Sequence, residues 1–176
     1  MTQDGHPKLE TATLGAGCFW CVEAVLMRVD GVHGLRSGFM GGSVANPSYE
    51  QVCREDTGHA EVVQVEFDPA VLPYAHLLEW FWNLHDPTTK DRQGNDVGPQ
   101  YRSAIFFHDE AQRETAERSK EAAAERFPAP IVTEISAAGP FYEAGPEHRE
   151  YYNRNREQGY CRMVIAPKLR KLELEP

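Results

Sequence analysis

A thiol set between a glycine-rich turn and two large aromatics is the feature of this sequence that most plainly carries chemistry: Gly15-Ala16-Gly17-Cys18-Phe19-Trp20-Cys21. If Cys18 begins a helix, the unpaired N–H groups there and the positive end of the macrodipole favour thiolate over thiol. Phe19 and Trp20 are too bulky to bury fully beside a turn and are expected to wall a small apolar pocket. The pattern describes a sulfur nucleophile facing an apolar substrate group. Cys21 would share the helical face of Cys18, and a C-x-x-C pair at a helix start also suits disulfide exchange. A structural zinc site is a third reading, although Cys53 and Cys161 stand alone and no histidine pair has metal spacing.

Glu61 is the second chemical candidate. Strand alternation puts it on the face of Val63, Val65 and Phe67, with Gln64 and Glu66 opposite. A carboxyl group at the edge of an apolar surface is desolvated, which favours the protonated, hydrogen-bond-donating form. The alternative is a strand-end glutamate in water. Thr57-Gly58-His59-Ala60 tightens the turn that would orient it. Tyr49 follows the turn Asn46-Pro47-Ser48, and Tyr101 ends a long polar loop that holds Asp96. Taken alone, each tyrosine reads more readily as a half-buried packing residue.

The elements that must position these residues follow from periodicity. Thr11–Leu14 predicts a strand, and Val22, Val25, Leu26 and Val29 predict a helix ended by Asp30-Gly31. Val32–Gly42 reads as a strand entering a glycine-rich loop, and Tyr49 to about Cys53 as a short capped helix. Glu61–Phe67 is the clearest strand. Pro73 opens a helix with the stripe Leu77, Leu78, Phe81 and Leu84, and Asp86–Gln100 is a polar loop. Ser103–Phe107 and Ile131–Ser136 read as strands. Asp109–Phe127 reads as a surface helix with i,i+4 pairs such as Glu114–Arg118, and Pro146–Asn153 as a short helix. From Gly159 onward an irregular tail is expected. The irregular strand–helix spacing favours α+β over a doubly wound fold.

The chain has 176 residues, enough for one domain with a substantial core, residues 1–8 and 168–176 being expected as flexible ends. A net charge of −9 argues against nucleic acid. The basic cluster Lys168, Arg170 and Lys171 alternates with leucine and reads as a solvated terminal segment. The N-terminal residues lack the basic and apolar regions of a secretory signal, and no run approaches membrane-spanning length. Four cysteines are too few and too scattered for a disulfide scaffold, so a cytoplasmic location is expected.

Taken together, these stretches resemble the A-type peptide methionine sulfoxide reductases. The resemblance rests on Gly17-Cys18-Phe19-Trp20, Gly41-Gly42, Asn46-Pro47-Ser48-Tyr49, Asp56-Thr57-Gly58-His59-Ala60-Glu61, Arg92-Gln93-Gly94-Asn95-Asp96 and Gln100-Tyr101-Arg102-Ser103. Thr133-Glu134-Ile135, Phe141-Tyr142 and Gly159-Tyr160-Cys161 extend it, so that it covers roughly residues 9 to 170. It implies a single-domain α+β fold, a two-layer sandwich with a mixed sheet and a ferredoxin-like core. It also implies reduction of methionine-(S)-sulfoxide, free or in proteins, by a monomer that needs neither cofactor nor metal. Cys18 would be the nucleophile, with Glu61, Tyr49 and Tyr101 hydrogen-bonding the sulfoxide oxygen and Asp96 orienting. Phe19 and Trp20 would pack against the S-methyl group. The sulfenic acid left on Cys18 would be resolved by Cys161, and the disulfide reduced by thioredoxin.

Three departures accompany the resemblance. Cys21 stands where many members carry glycine, and is a possible second resolving cysteine or a packed helix residue. The tail holds one cysteine where some members have two. Phe39 stands where tyrosine is common.

Overall fold

The computed structural model describes residues 5–175. Eight strands and six α-helices are formed in chain order: β1 (Glu10–Ala16), α1 (Phe19–Leu26), β2 (Val32–Met40), α2 (Tyr49–Cys53), β3 (Ala60–Phe67), α3 (Tyr74–Leu84), β4 (Arg92–Gln93) and β5 (Asp96–Val97), followed by β6 (Ser103–Phe107), α4 (Glu110–Ala123), β7 (Glu134–Ala137), β8 (Tyr142–Glu143), α5 (Tyr151–Arg154) and α6 (Ala166–Lys171).

The main sheet has the order β7-β6-β1-β3-β2-β8. Only β6 and β7 pair in parallel; the other neighbours are antiparallel. Its four inner strands, β6-β1-β3-β2, are linked by α1 between β1 and β2 and by α3 between β3 and β6. This is the expected ferredoxin-like core of an α+β domain.

The face of β3 that carries Val63, Val65 and Phe67 is fully buried in the main core, together with Leu14, Val22, Val25, Leu77, Leu78 and Phe81. Burial of each such side chain contributes about 1.5–3 kcal/mol. The opposite face holds a small second cluster, Met40, Ala60, Val62, Ala104 and Phe106. Glu61 therefore ends an apolar row on the main-core side, as alternation predicts.

Three elements differ from expectation. The polar loop after α3 contains the β4–β5 hairpin, paired Gln93 to Asp96, which fixes Asp96 in place. The segment Pro146–Asn153 divides into a 3-10 turn, Pro146–His148, and α5, with the left-handed residue Glu150 between them. The tail is not irregular. It forms a π-helical turn, Cys161–Ile165, that runs into α6, burying Cys161, Ile165 and Leu169. Pro167 lies within the first turn of α6, directly after the π-helical turn. Lys168–Lys171, expected in a flexible end, are thus helical. Residues 1–4 and 176 lie outside the described part. Among the described residues no helix is long and apolar enough to cross a membrane.

Candidate active site

Cys18 is the N-cap of α1, and its carbonyl accepts from the N–H of Cys21 at 3.1 Å. The turn before it needs Gly17: φ is +90°, and a Cβ there would fall 2.8 Å from Gln93. This strand–turn–helix presents three consecutive residues to one site. Phe19 is fully buried, contrary to the expectation that a bulky ring beside the turn could not be, because Phe39 and Tyr49 pack over it; its N–H donates to Glu61 Oε1 at 3.2 Å. Trp20 Nε1–H donates to His148 Nδ1 at 3.1 Å, and its ring stacks on Tyr151 with centroids 3.7 Å apart.

Tyr49 opens α2, which Ser48 starts with a reciprocal capping box to Gln51. The Tyr49 ring lies 4.6 Å from His148 and 6.4 Å from both Phe19 and Trp20, centroid to centroid. Tyr101 ends a 3-10 turn, Pro99–Tyr101, just ahead of β6. Both phenols feel the charge of Glu61, and Tyr101 also that of Cys18 and Asp96. Burial, and next the Glu61 charge, hold both hydroxyls well above their ordinary pKa, so each stays a proton donor.

Glu61 is 1 % exposed. Burial raises its pKa to about 8, against the hydrogen bond from Phe19 N–H, which lowers it. Oε1 has the Phe19 bond, while Oε2 has no partner among the described residues. A neutral carboxyl with one buried, unpaired oxygen is a donor awaiting an acceptor.

The cysteines correct one expectation. Cys18 is not held as an anion: burial pushes its thiol well above the ordinary range, helped by its hydrogen bond to Cys21 and by the Glu61 charge. A backbone N–H at Trp20 opposes this but is outweighed. Cys21 moves down to about 7, because the Cys18 thiol donates to it and Lys168 attracts its charge. Tyr160 lies 3.4 Å from Cys21 Sγ through its hydroxyl, which donates to Asp96 Oδ2 at 2.8 Å. Cys18, Cys21, Asp96, Tyr160 and Lys168 line one cavity of about 250 Å³ with Gln93 and Gly94.

Phe19 thus links Glu61 to Tyr49, Tyr49 and Tyr101 lie within electrostatic reach of Glu61, and Cys18, Cys21 and Asp96 share one cavity. Cys161 is fully buried in the same core and electrostatically close to Cys21. Cys53, the last residue of α2, is exposed. Phe39 pairs with Glu61 across the sheet and packs on Phe19, with ring centroids 5.7 Å apart.

Sequence reading missed three residues: His148, Tyr151 and Tyr160. All three come from the last third of the chain and surround Trp20. The signals for them were the aromatic density of the stretch containing Tyr151, Tyr152 and Tyr160 and, for Tyr160, its place in the matching segment Gly159-Tyr160-Cys161. Burial lowers the His148 pKa, which leaves Nδ1 free to accept from Trp20. Among the described residues no cluster of His, Cys, Asp and Glu could hold a metal ion.

The family model described as peptide methionine sulfoxide reductase matches residues 10–175. A peptide methionine sulfoxide reductase MsrA of Ralstonia nicotianae is 54 % identical over 176 aligned residues, covering 97 % of this chain and 92 % of that one. Among solved structures, Mxr1 from Saccharomyces cerevisiae in reduced form superposes with a TM-score of 0.84 at 33 % identity, covering 88 % of this chain and 90 % of that one. The same protein in complex with Trx2 superposes with a TM-score of 0.59 at 27 % identity, covering 82 % of this chain and 85 % of that one.

Proposed function

We infer the reaction of this chain from the family to which it belongs, the peptide methionine sulfoxide reductases: it is an oxidoreductase that reduces methionine sulfoxide. In our reading the substrate is the S epimer, free or in oxidised proteins, and the oxygen is transferred to Cys18. The observation that carries this is Glu61, a buried neutral acid with one oxygen unpaired beside the nucleophile.

A sulfoxide sulfur is a poor electrophile until its oxygen is protonated. Glu61 Oε2–H supplies that proton, and the Tyr49 and Tyr101 hydroxyls donate to the same oxygen. Phe19 and Trp20 hold the S-methyl group, so that only one epimer points its oxygen at the three donors. Cys18 gives its proton to Cys21, attacks the sulfur as thiolate, and takes the oxygen. Methionine leaves, and Cys18 becomes a sulfenic acid. Asp96, through Tyr160, orients the Cys21 sulfur.

The sulfenic acid then reacts with a second thiol, releasing water and forming a disulfide. We assign that thiol to Cys161, with thioredoxin as the dithiol that reduces the bond. The Mxr1–Trx2 complex supports this reductant. A second reading has its own support: Cys21 lies three residues along α1 from Cys18, the spacing of a C-x-x-C pair. We further read the enzyme as a monomer acting in the cytoplasm, where dithiol reductants are maintained.

The test is turnover of each methionine sulfoxide epimer under dithiothreitol, for the native protein and Cys18→Ser. Native turnover confined to the S epimer, and none in the variant, is expected. Activity in Cys18→Ser, or preference for the R epimer, contradicts the assignment.

A further inference from the structure

Glu23 lies one turn along α1 from Trp20 and is only 5 % exposed. Nothing in the chemistry above uses it. Its Oε2 accepts from Ser37 Oγ on β2 at 2.8 Å, and Glu150 lines one cavity with it, its backbone N–H lowering the pKa of the Glu23 carboxyl group. Glu150 is the N-cap of α5 and has φ 45° and ψ 41°. A left-handed backbone is unfavourable for a residue with a Cβ and persists only where its surroundings hold it.

The two rings that touch Trp20 hang from this corner. His148, two residues earlier, accepts the indole N–H; Tyr151, the next residue, stacks on the indole face. Packing does not fill the space behind them. A cavity of about 340 Å³, lined by Glu23, Met27, Leu35, Ser37, Arg149 and Glu150, lies against the corner. Further along α5, Arg28 separately ties Asn153 to α1 at 2.9 Å. Loss of the Glu23 bonds would therefore free the corner without detaching the helix.

We propose that Glu23 is a positioning residue for substrate binding: by holding the left-handed Glu150 corner against β2, it fixes His148 and Tyr151 on Trp20 and sets the shape of the aromatic wall. This rests on the reading that Trp20 receives the S-methyl group.

The test compares Glu23→Ala, Glu23→Gln, Ser37→Ala and the double variant Glu23→Ala/Glu150→Gly, by steady-state kinetics with methionine-(S)-sulfoxide and by amide hydrogen exchange over residues 146–154. Glu23→Ala raises KM about tenfold with kcat within about threefold of native, and exchange over 146–154 accelerates. Glu23→Gln and Ser37→Ala each keep part of the bridge and fall between. Glycine removes the penalty of the left-handed corner, so the double variant regains at least half of the loss on a logarithmic scale. A native KM in folded Glu23→Ala, a raised KM without faster exchange, or no recovery in the double variant overturns the proposal. If Glu23→Ala does not fold, an unchanged KM and unchanged exchange in both Glu23→Gln and Ser37→Ala overturn it equally. Should the native protein fail to turn over, the functional reading fails instead, while exchange still decides whether Glu23 holds the corner.

Discussion

In the reaction we propose, two protons decide the chemistry at the level of single residues, and neither sits where a free amino acid would keep it. Glu61 retains its proton up to about pH 8 because its carboxylate would be stranded without water. Only that protonated form can activate the sulfoxide. The single-turnover rate therefore falls above pH 8 as Glu61 ionises, and below about pH 7 as Cys21, the base for Cys18, takes up a proton. Glu61→Gln, which can donate a hydrogen bond but not a proton, lowers it about a hundredfold or more and removes the alkaline fall. Rapid-quench measurements from pH 6 to 9 check both; a native profile flat through pH 8 removes Glu61 from its role. The position of Glu61 was legible in the sequence, because alternation with Val63, Val65 and Phe67 admits one face only. The charge of Cys18 was not. A helix start can be read from Gly17 and the following periodicity, but the depth of the site depends on Phe39, Tyr151 and Tyr160, which are distant in sequence.

Among the elements, the π-helical turn carries Cys161, the resolving thiol we propose. Wide turns of this kind interrupt regular helices and are frequent at functional positions. Here the turn holds Cys161 buried in the core that also contains Cys18 and Cys21. Cys161→Ser should keep one stoichiometric turnover of substrate yet fail with thioredoxin as sole reductant, while Cys21→Ser continues to cycle. Full cycling of Cys161→Ser with thioredoxin transfers the resolving role to Cys21. The sequence hid this element because Gly159 and Pro167 look like punctuation; only the burial of Ile165 and Leu169 against the core carries the helix past them. In contrast, β3 and α3 were readable, since the spacing of their apolar residues is set by local geometry alone.

Across the whole molecule, a buried histidine ties the helical layer to the sheet. The His85 ring donates from Nδ1 to the Phe81 carbonyl of α3 at 2.6 Å, and Nε2 accepts from Ser103 Oγ on β6 at 2.8 Å. Ser103 in turn meets Thr133 Oγ1, just ahead of β7, at 2.7 Å. Burial lowers the His85 pKa to about 4 from its ordinary 6.5. The folded state thus binds the proton less readily than the unfolded chain. The contribution of His85 is complete above pH 6.5, declines as pH falls toward 4, and amounts to about 3 kcal/mol. Glu61 acts in the opposite sense: its pKa is raised from 4.5 to about 8, so its contribution is complete below pH 4.5 and is lost as pH rises through 8. The comparison that isolates His85 is urea unfolding of native protein and His85→Gln at pH 7 and pH 4. The variant should lose most of its disadvantage at the lower pH. An equal difference at both values means that the ring is not neutral in the fold.

Of the four cysteine sulfurs three are buried, and Cys53 alone faces solvent, at the end of the short helix that begins with Tyr49. A bulky maleimide will therefore mark position 53 first and report nothing about the nucleophile. Colorimetric thiol counts acquire meaning only in a Cys53→Ser background. The same exposure makes position 53 a convenient attachment point for a dye, placed to watch the pocket mouth as ligands come and go.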